Sequence, residues 1–215
     1  MNKYLLFICV CLISSCSTMS KDECRQANWN DIGKKDGVRG KVLSRFDDYE
    51  KSCVKAGITA DKVTYETGRN EGLKSYCTII NGYDEGEKGS IYNNVCGGFD
   101  EPTFLKGYKL GSELYGYAKA MNDANARIEK LDKDVQTMQD EIKTMQSELG
   151  KEGISYQERQ TKVDLINAKR NNIDTLKNTG YGLEDKAEQN KKAYESMKKT
   201  HTNMGFCATE GCFSK

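Results

Sequence analysis

The stretch YETGRNEGLKSYC, at residues 65–77, carries the pattern on which the first half of the chain is built. Tyr65 is followed by Gly68, Gly72 and Tyr76, and these offsets put all four residues on one face of a helix. Glycine costs about 1 kcal/mol relative to alanine inside a helix, so its recurrence on that face needs a reason. We expect short helices whose backbones approach closely at the glycines, with aromatic rings filling the flanks.

The same pattern recurs through residues 24–111. The other copies are Trp29 with Gly33, Gly37 and Gly40; Tyr83 with Gly86, Gly89, Tyr92 and Cys96; and Phe104 with Gly107, Gly111 and Tyr115. Phosphate binding by glycine loops is the alternative, but it lacks a following Lys-Ser/Thr and a preceding apolar strand. The pattern therefore favours a helical domain at residues 24–109, with Trp29 as its main core residue.

The second half changes to a period of alternating four-residue and three-residue steps. Its uncharged positions are Leu110, Leu114, Tyr117, Met121, Ala124, Ile128, Leu131, Val135, Met138, Ile142, Met145 and Leu149. Such a series predicts a coiled-coil helix, about 60 Å long at 1.5 Å per residue.

A short turn follows this helix. Gly150 and Gly153 end it, and Ser155 with Glu158 forms a capping box for a return helix with a less regular apolar series. Residues 179–182 are a candidate kink. The short turn predicts an antiparallel hairpin over residues 110–200, with a parallel oligomer through the first helix as the alternative. The predicted fold class is all-α: a small disulfide-braced Gly/aromatic-rich domain followed by this hairpin.

Nine cysteines occur in the chain, and Cys9 and Cys11 lie in its first 15 residues. Apart from Cys16, the remaining six form an even set, which in an exported chain indicates up to three disulfides. The disulfide candidates are Cys24, Cys53, Cys77, Cys96, Cys207 and Cys212. Order along the chain favours Cys24–Cys53, Cys77–Cys96 and Cys207–Cys212, and the hairpin geometry leaves Cys96–Cys207 open as a competing bridge.

The amino terminus has the parts of an export signal: Lys3, an apolar run at residues 4–13, and two serines before Cys16. The apolar run is about half of the ~20 residues that a membrane-spanning helix needs. The string Ile-Ser-Ser-Cys at residues 13–16 resembles a bacterial lipobox. That resemblance implies a signal peptide at residues 1–15 and a lipidated, palmitate-bearing Cys16. Residues 16–23 would be a tether reaching at most about 25 Å.

Charge and histidine content argue against several classes of protein. Removal of Lys3 reduces the 33 basic residues to 32, equal to the 32 acidic residues. This balance gives no electrostatic case for nucleic acid or for an acidic membrane face. A single histidine, His201, and no Cys-x-x-Cys pair disfavour nucleophilic catalysis and a zinc site. We therefore predict no enzymatic activity, no catalytic residue, no metal and no cofactor.

Trp29-x-x-Ile32-Gly33, residues 65–77 and residues 82–96 together resemble a known family. It comprises uncharacterised bacterial lipoproteins and is defined by a domain of unknown function with these Gly, Tyr and Cys spacings. The resemblance covers about residues 24–116. It implies a location in the cell envelope and a Cys77–Cys96 disulfide, and it brings no activity. By resemblance to known sorting, Ser17 after the lipidated cysteine implies the outer membrane, with the protein facing the periplasm.

These expectations lead to three functional hypotheses. The first is a structural or adaptor lipoprotein, anchored to the membrane by its lipid, whose coiled-coil hairpin binds an envelope protein or another copy. The second is a small-ligand-binding lipoprotein that uses the Gly/Tyr-rich domain. The third is attachment to the cell wall through Lys215, because the major cell-wall-linked outer-membrane lipoprotein also ends in lysine. The Cys-containing tail, residues 201–215, has no assigned role, and the sequence identifies no partner-binding residues.

Overall fold

The computed structural model describes residues 19–206, and this part of the chain is built of helices and turns without a strand. The helices are α1 (Lys21–Arg25), α2 (Trp29–Val38), α3 (Arg45–Lys55), α4 (Lys62–Tyr76), α5 (Ile79–Glu87), α6 (Glu101–Leu149) and α7 (Tyr156–Asn203). The predicted all-α fold class is confirmed. None of these helices is both long and apolar enough to span a bilayer.

The chain divides into two compact units, each made from two separate stretches. Within the described residues, the first unit comprises 19–78 and 92–101, and the second comprises 79–91 and 102–206. The first unit therefore contains α1 to α4. The second contains α5, α7 and all of α6 except its first residue.

In the first unit, α2 and α4 form a parallel pair held together at glycines. Gly33 lies against the backbone of Tyr65, and Gly37 lies four residues further on against the backbone of Arg69. A Cβ atom on either glycine would come far closer than 3.0 Å to a carbonyl oxygen of α4, and the glycines of α4 meet α2 in the same way. The close backbone approach expected from the sequence is confirmed.

The aromatic residues of the first unit form the core beside this pair. Trp29 packs edge-on against Phe46 at 5.7 Å, and Phe46 lies 5.1 Å from the ring of Tyr65. All three side chains are buried, and α3 supplies Phe46 together with Tyr49. Helix α3 thus packs over the α2/α4 pair and covers its aromatic side chains. The prediction that Trp29 is a core residue is confirmed.

Two disulfides brace the first unit. Cys24–Cys53 joins α1 to α3, and Cys77–Cys96 joins the end of α4 to the segment before α6. Both are pairs that the order along the chain favoured. Because Cys96 is bonded to Cys77, the competing Cys96–Cys207 bridge is not formed.

The second unit repeats the same helix pair with α5 and the start of α6. The two pairs correspond glycine for glycine: Gly33, Gly37 and Gly40 with Gly82, Gly86 and Gly89, and Gly68 and Gly72 with Gly107 and Gly111. Again the backbones touch at the glycines and the two helices run parallel. The sequence pattern groups Tyr83 with Gly86 and Gly89. In the structure Gly82, one residue before Tyr83, is the first glycine of α5 that contacts the backbone of α6.

The second aromatic residue of the pattern covers a turn. Gly40 and Gly89 end the first helix of each pair with φ values of +62° and +69°, a conformation that suits glycine. The ring of Tyr76 lies over Gly40, and the ring of Tyr115 lies over Gly89. A side chain at either glycine would therefore meet both backbone strain and an aromatic ring.

Helices α6 and α7 form the predicted antiparallel hairpin. Their lengths of 49 and 48 residues correspond to about 70 Å each. The amine of Lys162 lies 2.5 Å from the carboxylate of Glu148, and the amine of Lys169 lies 2.5 Å from the carboxylate of Glu141. Later residues of α7 thus lie opposite earlier residues of α6, so the two helices run antiparallel. The apolar contact in this region centres on Ile142, Ile166 and Ile173.

The structure adds two details to the hairpin. Helix α6 begins at Glu101, so its first turns are also the second helix of a glycine pair, and residue 110 lies inside a continuous helix. Helix α7 runs through residues 179–182 without a break. Gly180 and Gly182 have open space around them, so nothing forces the backbone to bend there. The capping box of Ser155 and Glu158 is confirmed.

Glycine substitutions within α6 test the backbone contact. Gly111→Ala should lower the free energy of unfolding by about 1–3 kcal/mol, because its new methyl group would overlap the carbonyl oxygen of Tyr83. Gly116→Ala, five residues further along the same helix and facing open space, should raise it by up to about 1 kcal/mol. Urea unfolding followed by circular dichroism measures both. Equal effects of the two substitutions would contradict the packing account.

Alanine substitutions on neighbouring residues of α7 test the hairpin seam. Ile166 is buried against α6, whereas Leu165 beside it is about half exposed. Ile166→Ala should lower the free energy of unfolding by roughly 2 kcal/mol or more, and Leu165→Ala should lower it by about 0.5 kcal/mol or less. A reversed order of the two unfolding midpoints would show that the seam has a different register.

Candidate functional site

A buried carboxylate joins the three principal helices of the first unit. Asp36 on α2 accepts hydrogen bonds from the hydroxyl groups of Tyr49 on α3 (3.0 Å) and Tyr65 on α4 (2.9 Å), both at Oδ2. Burial raises the pKa of both tyrosine hydroxyls above their ordinary value of 10.0, and the bond to Asp36 raises that of Tyr65 further. Both tyrosines therefore remain protonated donors at neutral pH. The cluster is suited to holding the three helices together.

In each glycine pair, a side chain of the second helix donates a hydrogen bond to the turn that follows the first helix. In the first unit, Nε of Arg69 donates to the carbonyl oxygen of Lys41 at 2.9 Å. In the second, the hydroxyl of Tyr108 donates to the carbonyl oxygen of Ser90 at 2.6 Å. Arg69 and Tyr108 each follow the first glycine of the second helix of their pair, so the two donors occupy corresponding positions. The sequence reasoning missed this pair because arginine and tyrosine share no obvious chemistry until both are seen to donate to a carbonyl group.

Tyr92 holds the segment that contains Cys96. Its hydroxyl donates to Oε1 of Glu101 at 2.6 Å and accepts from the backbone N–H of Cys96 at 2.9 Å. Burial, followed by the hydrogen bond to Glu101, raises the pKa of Tyr92 to about 12. The second aromatic residue that the sequence pattern assigned to the copy beginning at Tyr83 thus secures the loop beside the Cys77–Cys96 disulfide.

The end of α7 covers the second glycine pair. His201 and Phe206 are buried against Tyr83 of α5: the Phe206 ring stacks on Tyr83 at 5.0 Å, and the His201 ring meets it edge-on at 5.5 Å. Nδ1 of His201 lies 3.3 Å from the Tyr83 hydroxyl. Burial raises the pKa of Tyr83 to about 12, so this hydroxyl can donate to a neutral imidazole. Leu114 of α6 completes the same core.

Charged groups lie near both His201 and Tyr83. Burial lowers the pKa of His201 below its ordinary value of 6.5, and the carboxylate of Glu113 on α6 partly offsets that effect. On α5, burial raises the pKa values of Asp84 and Glu87 above their usual range. The amine of Lys198 on α7 counteracts the rise at Glu87. The histidine is a buried core residue whose Nδ1 faces the Tyr83 hydroxyl.

Exposed apolar side chains along α7 are the remaining candidate surface. Tyr156 and Tyr181 are 83% and 61% exposed, and Val163 and Leu165 also reach solvent on the same helix. A shallow groove between α6 and α7 is lined mainly by polar side chains together with Met145. Across the part of the chain that the structure describes, His, Cys, Asp and Glu side chains nowhere cluster in threes that could hold a metal ion.

The predicted site residues fall into two groups. Cys24, Cys53, Cys77 and Cys96 are paired in disulfides, and His201 is buried. Cys16, Cys207, Cys212 and Lys215 lie outside the described residues. The lipidation of Cys16, the Cys207–Cys212 bridge and the role of Lys215 therefore stay predictions.

Comparison with known proteins identifies one domain. Residues 28–113 match a family described as "Protein of unknown function (DUF2799)", which covers less than half of the chain. The match begins just before α2 and ends within the first turns of α6, so it contains both glycine pairs. This agrees with the sequence resemblance over residues 24–116 as far as the domain of unknown function is concerned. Neither the curated proteins nor the solved structures contain a significant match.

The burial of His201 predicts a specific dependence of stability on pH. Its pKa is lower in the folded state than the unfolded value of 6.5. Its contribution is therefore complete above pH 6.5 and is lost as the pH falls below that value. Asp84 and Glu87 act in the opposite direction, because their raised pKa values favour the folded state when they are protonated. Wild-type protein should lose more unfolding free energy between about pH 7 and pH 5 than His201→Gln.

Urea unfolding at each pH measures this difference, since the two carboxyl groups are common to both proteins. Identical pH profiles for wild type and His201→Gln would contradict the burial of a neutral imidazole.

Proposed function

We propose that the protein is a membrane-anchored periplasmic lipoprotein that acts as a structural or adaptor protein, with its hairpin engaging an envelope partner. The observation that carries this proposal is the construction of the hairpin. Helix α6 is at once the second helix of a glycine pair and the first arm of the hairpin, and α7 returns to pack on the same pair. A partner bound along α6 and α7 would therefore be connected through continuous helix to the core of the second unit.

The surface of the return helix supports a binding role. Tyr156, Leu165 and Tyr181 are exposed on a helix whose buried side chains Ile166 and Ile173 pack against α6. Exposed aromatic and aliphatic side chains scattered along a long helix suit contact with another helix better than enclosure of a small molecule.

The glycine pairs give less support to the small-ligand hypothesis. The glycine faces that would have to admit a ligand are occupied by the backbone of the partner helix, at Gly33 and Gly37 as at Gly82 and Gly86. The tyrosines beside them donate hydrogen bonds to Asp36 and to Ser90, so these hydroxyl groups are already engaged.

The lipobox-like residues 13–16 support the membrane anchor. Mass spectrometry of the purified protein tests it. The protein purified from cell envelopes should begin at Cys16 and carry the additional mass of a diacylglycerol group with a palmitate-type acyl chain. Cys16→Ser should leave the membrane fraction. An unmodified chain in the soluble periplasm would overturn the anchor and, with it, the outer-membrane assignment.

The adaptor role is tested by photocrosslinking in cells. A photoreactive phenylalanine analogue is placed at Tyr156, Leu165 or Tyr181 on the hairpin, and at Val54 on α3, which is as exposed as Tyr181. Hairpin positions should give a reproducible crosslink to one envelope protein or to a second copy, and Val54 should not.

A shortened hairpin is the matched variant. Removal of residues 132–145 and 165–178 takes two heptads from each arm and keeps the turn, the glycine pairs and His201 in place. With the photoreactive residue at Tyr156 or Tyr181, which remain after the deletion whereas Leu165 does not, the shortened protein should stay in the membrane fraction and lose the crosslink. Unchanged crosslinks in the shortened protein, or none from any hairpin position, would contradict an adaptor role for the hairpin.

A further inference from the structure

The turn between α2 and α3 exposes aliphatic side chains and cations together. Val38, Val42 and Leu43 are 45%, 38% and 39% exposed, although aliphatic residues in a packed helical protein are usually covered. Arg39 and Lys41 lie between them in sequence and are also exposed. A solvent-facing turn of this kind combines the two ingredients of an interfacial membrane contact.

The cations of this surface are not neutralised within the first unit. Among residues 19–206, Lys35, Arg39 and Lys41 form no ion pair, whereas their neighbour Lys34 pairs with Glu71 at 2.8 Å. Two acidic side chains line the same grooves as Lys35: Oδ2 of Asp31 accepts a hydrogen bond from the side chain of Asn28, and Oε2 of Glu23 accepts one from the backbone N–H of Ser20. The surface therefore carries a local positive charge, even though the whole chain has a net charge of only +1.

The fold itself does not require these cations, because the second glycine pair does without them. The corresponding turn of the second unit has Ser90 in the place of Lys41 and Glu87 in the place of Val38. Its remaining cation, Lys88, pairs with Glu85 at 3.3 Å. Asp84 stands in the place of Lys35, and Ile91, in the place of Val42, is itself 84% exposed. The same backbone turn thus forms without unpaired cations, and the cations of the first unit need another explanation.

The position of the amino terminus supplies that explanation. Met19 and Lys35 line one shallow groove, and Lys35, Val38 and Arg39 line the next, so the start of the described chain and the exposed turn lie on one side of α2. Met19 is three residues from Cys16, which limits the separation of their Cα atoms to about 11 Å. A lipid on Cys16 would therefore hold the bilayer close to this side of the first unit.

We propose that Lys35 and residues 38–43, the basic turn, bind the anionic phospholipid surface of the membrane that holds the lipid anchor. Aliphatic side chains enter the headgroup region while the cations meet lipid phosphates, and the first unit is held at a fixed face instead of hanging from a flexible tether. This inference rests on the proposed anchor for its setting, but the lipid-binding surface itself is testable without the anchor.

The test uses the full mature chain with Cys16→Ser, so that no acyl chain contributes. Co-sedimentation is measured with vesicles of phosphatidylethanolamine and phosphatidylglycerol and with vesicles of phosphatidylcholine. We expect partitioning into the anionic vesicles that weakens as salt is raised, and little into the neutral ones. The triple variant Lys35→Glu, Arg39→Glu and Lys41→Glu should reduce the partition coefficient at least about tenfold, since each cation near the surface contributes about fivefold.

Two matched variants separate this surface from overall charge and hydrophobicity. Lys130→Glu, Lys143→Glu and Lys191→Glu change the net charge equally on the hairpin and should leave partitioning within about twofold of the parent if the effect is local. Val42→Asp should weaken binding, whereas Val63→Asp should not. Val63 is exposed at the start of α4, and in a parallel pair this is the end opposite to Val38. Circular dichroism of each variant checks that it remains folded.

Each outcome bears on a different claim. Anionic-vesicle binding that the triple variant loses and the hairpin variant keeps supports the basic turn, whatever the state of Cys16. No binding, or equal losses in the two charge variants, overturns it. Loss of the acyl mass on Cys16 in the native protein overturns the anchor but not the vesicle result, so the two failures are distinguishable.

Discussion

Contact between helix backbones at glycine determines how both units of this protein are built. At Gly33, Gly37, Gly68 and Gly72, and again at Gly82, Gly86, Gly107 and Gly111, even a methyl group would overlap a carbonyl oxygen of the facing helix. Each glycine costs about 1 kcal/mol of helix propensity, and this cost is offset only when dispersion contacts and burial are gained along the whole pair. The aromatic residues, the turns and the covering helices all lie where the close approach of these backbones puts them.

The two pairs differ in what covers them, and this difference links structure to the proposed function. In the first unit the cover is α3, fixed by the Cys24–Cys53 disulfide and by the hydrogen bonds to Asp36. In the second unit the cover is the far end of α7, which arrives after about 70 Å of outgoing helix and the same length of return. The hairpin is therefore not an appendage on a finished domain, because its last turn, with His201 and Phe206, completes the second core.

Much of this architecture follows from sequence periodicity. Glycine spacing predicts close helix packing, the four-and-three repeat from Leu110 predicts the hairpin, and cysteine order gives both of the observed disulfides. The register of the second pair was not predictable from aromatic positions, because Tyr83 is packed under α7 while Gly82 carries the backbone contact. Helix α6 carries two patterns of different period in succession, so the four-and-three repeat read from Leu110 does not mark where the helix begins. Asp36 and the basic turn escape sequence reasoning because burial and exposure, not residue type, set their roles.

Native-state hydrogen exchange of the full mature chain tests most directly whether the glycine pairs are the structural centre on which the hairpin depends. We expect the slowest-exchanging amides in α2, α4, α5 and the first turns of α6, at the glycines and their facing residues. We also expect the last turns of α7 to exchange at the rate of the second pair, because they cover it. Amides near the hairpin turn, around residues 145–160, should exchange much faster. Strongest protection along residues 121–190, with rapid exchange at Gly82, Gly86, Gly107 and Gly111, would contradict this account.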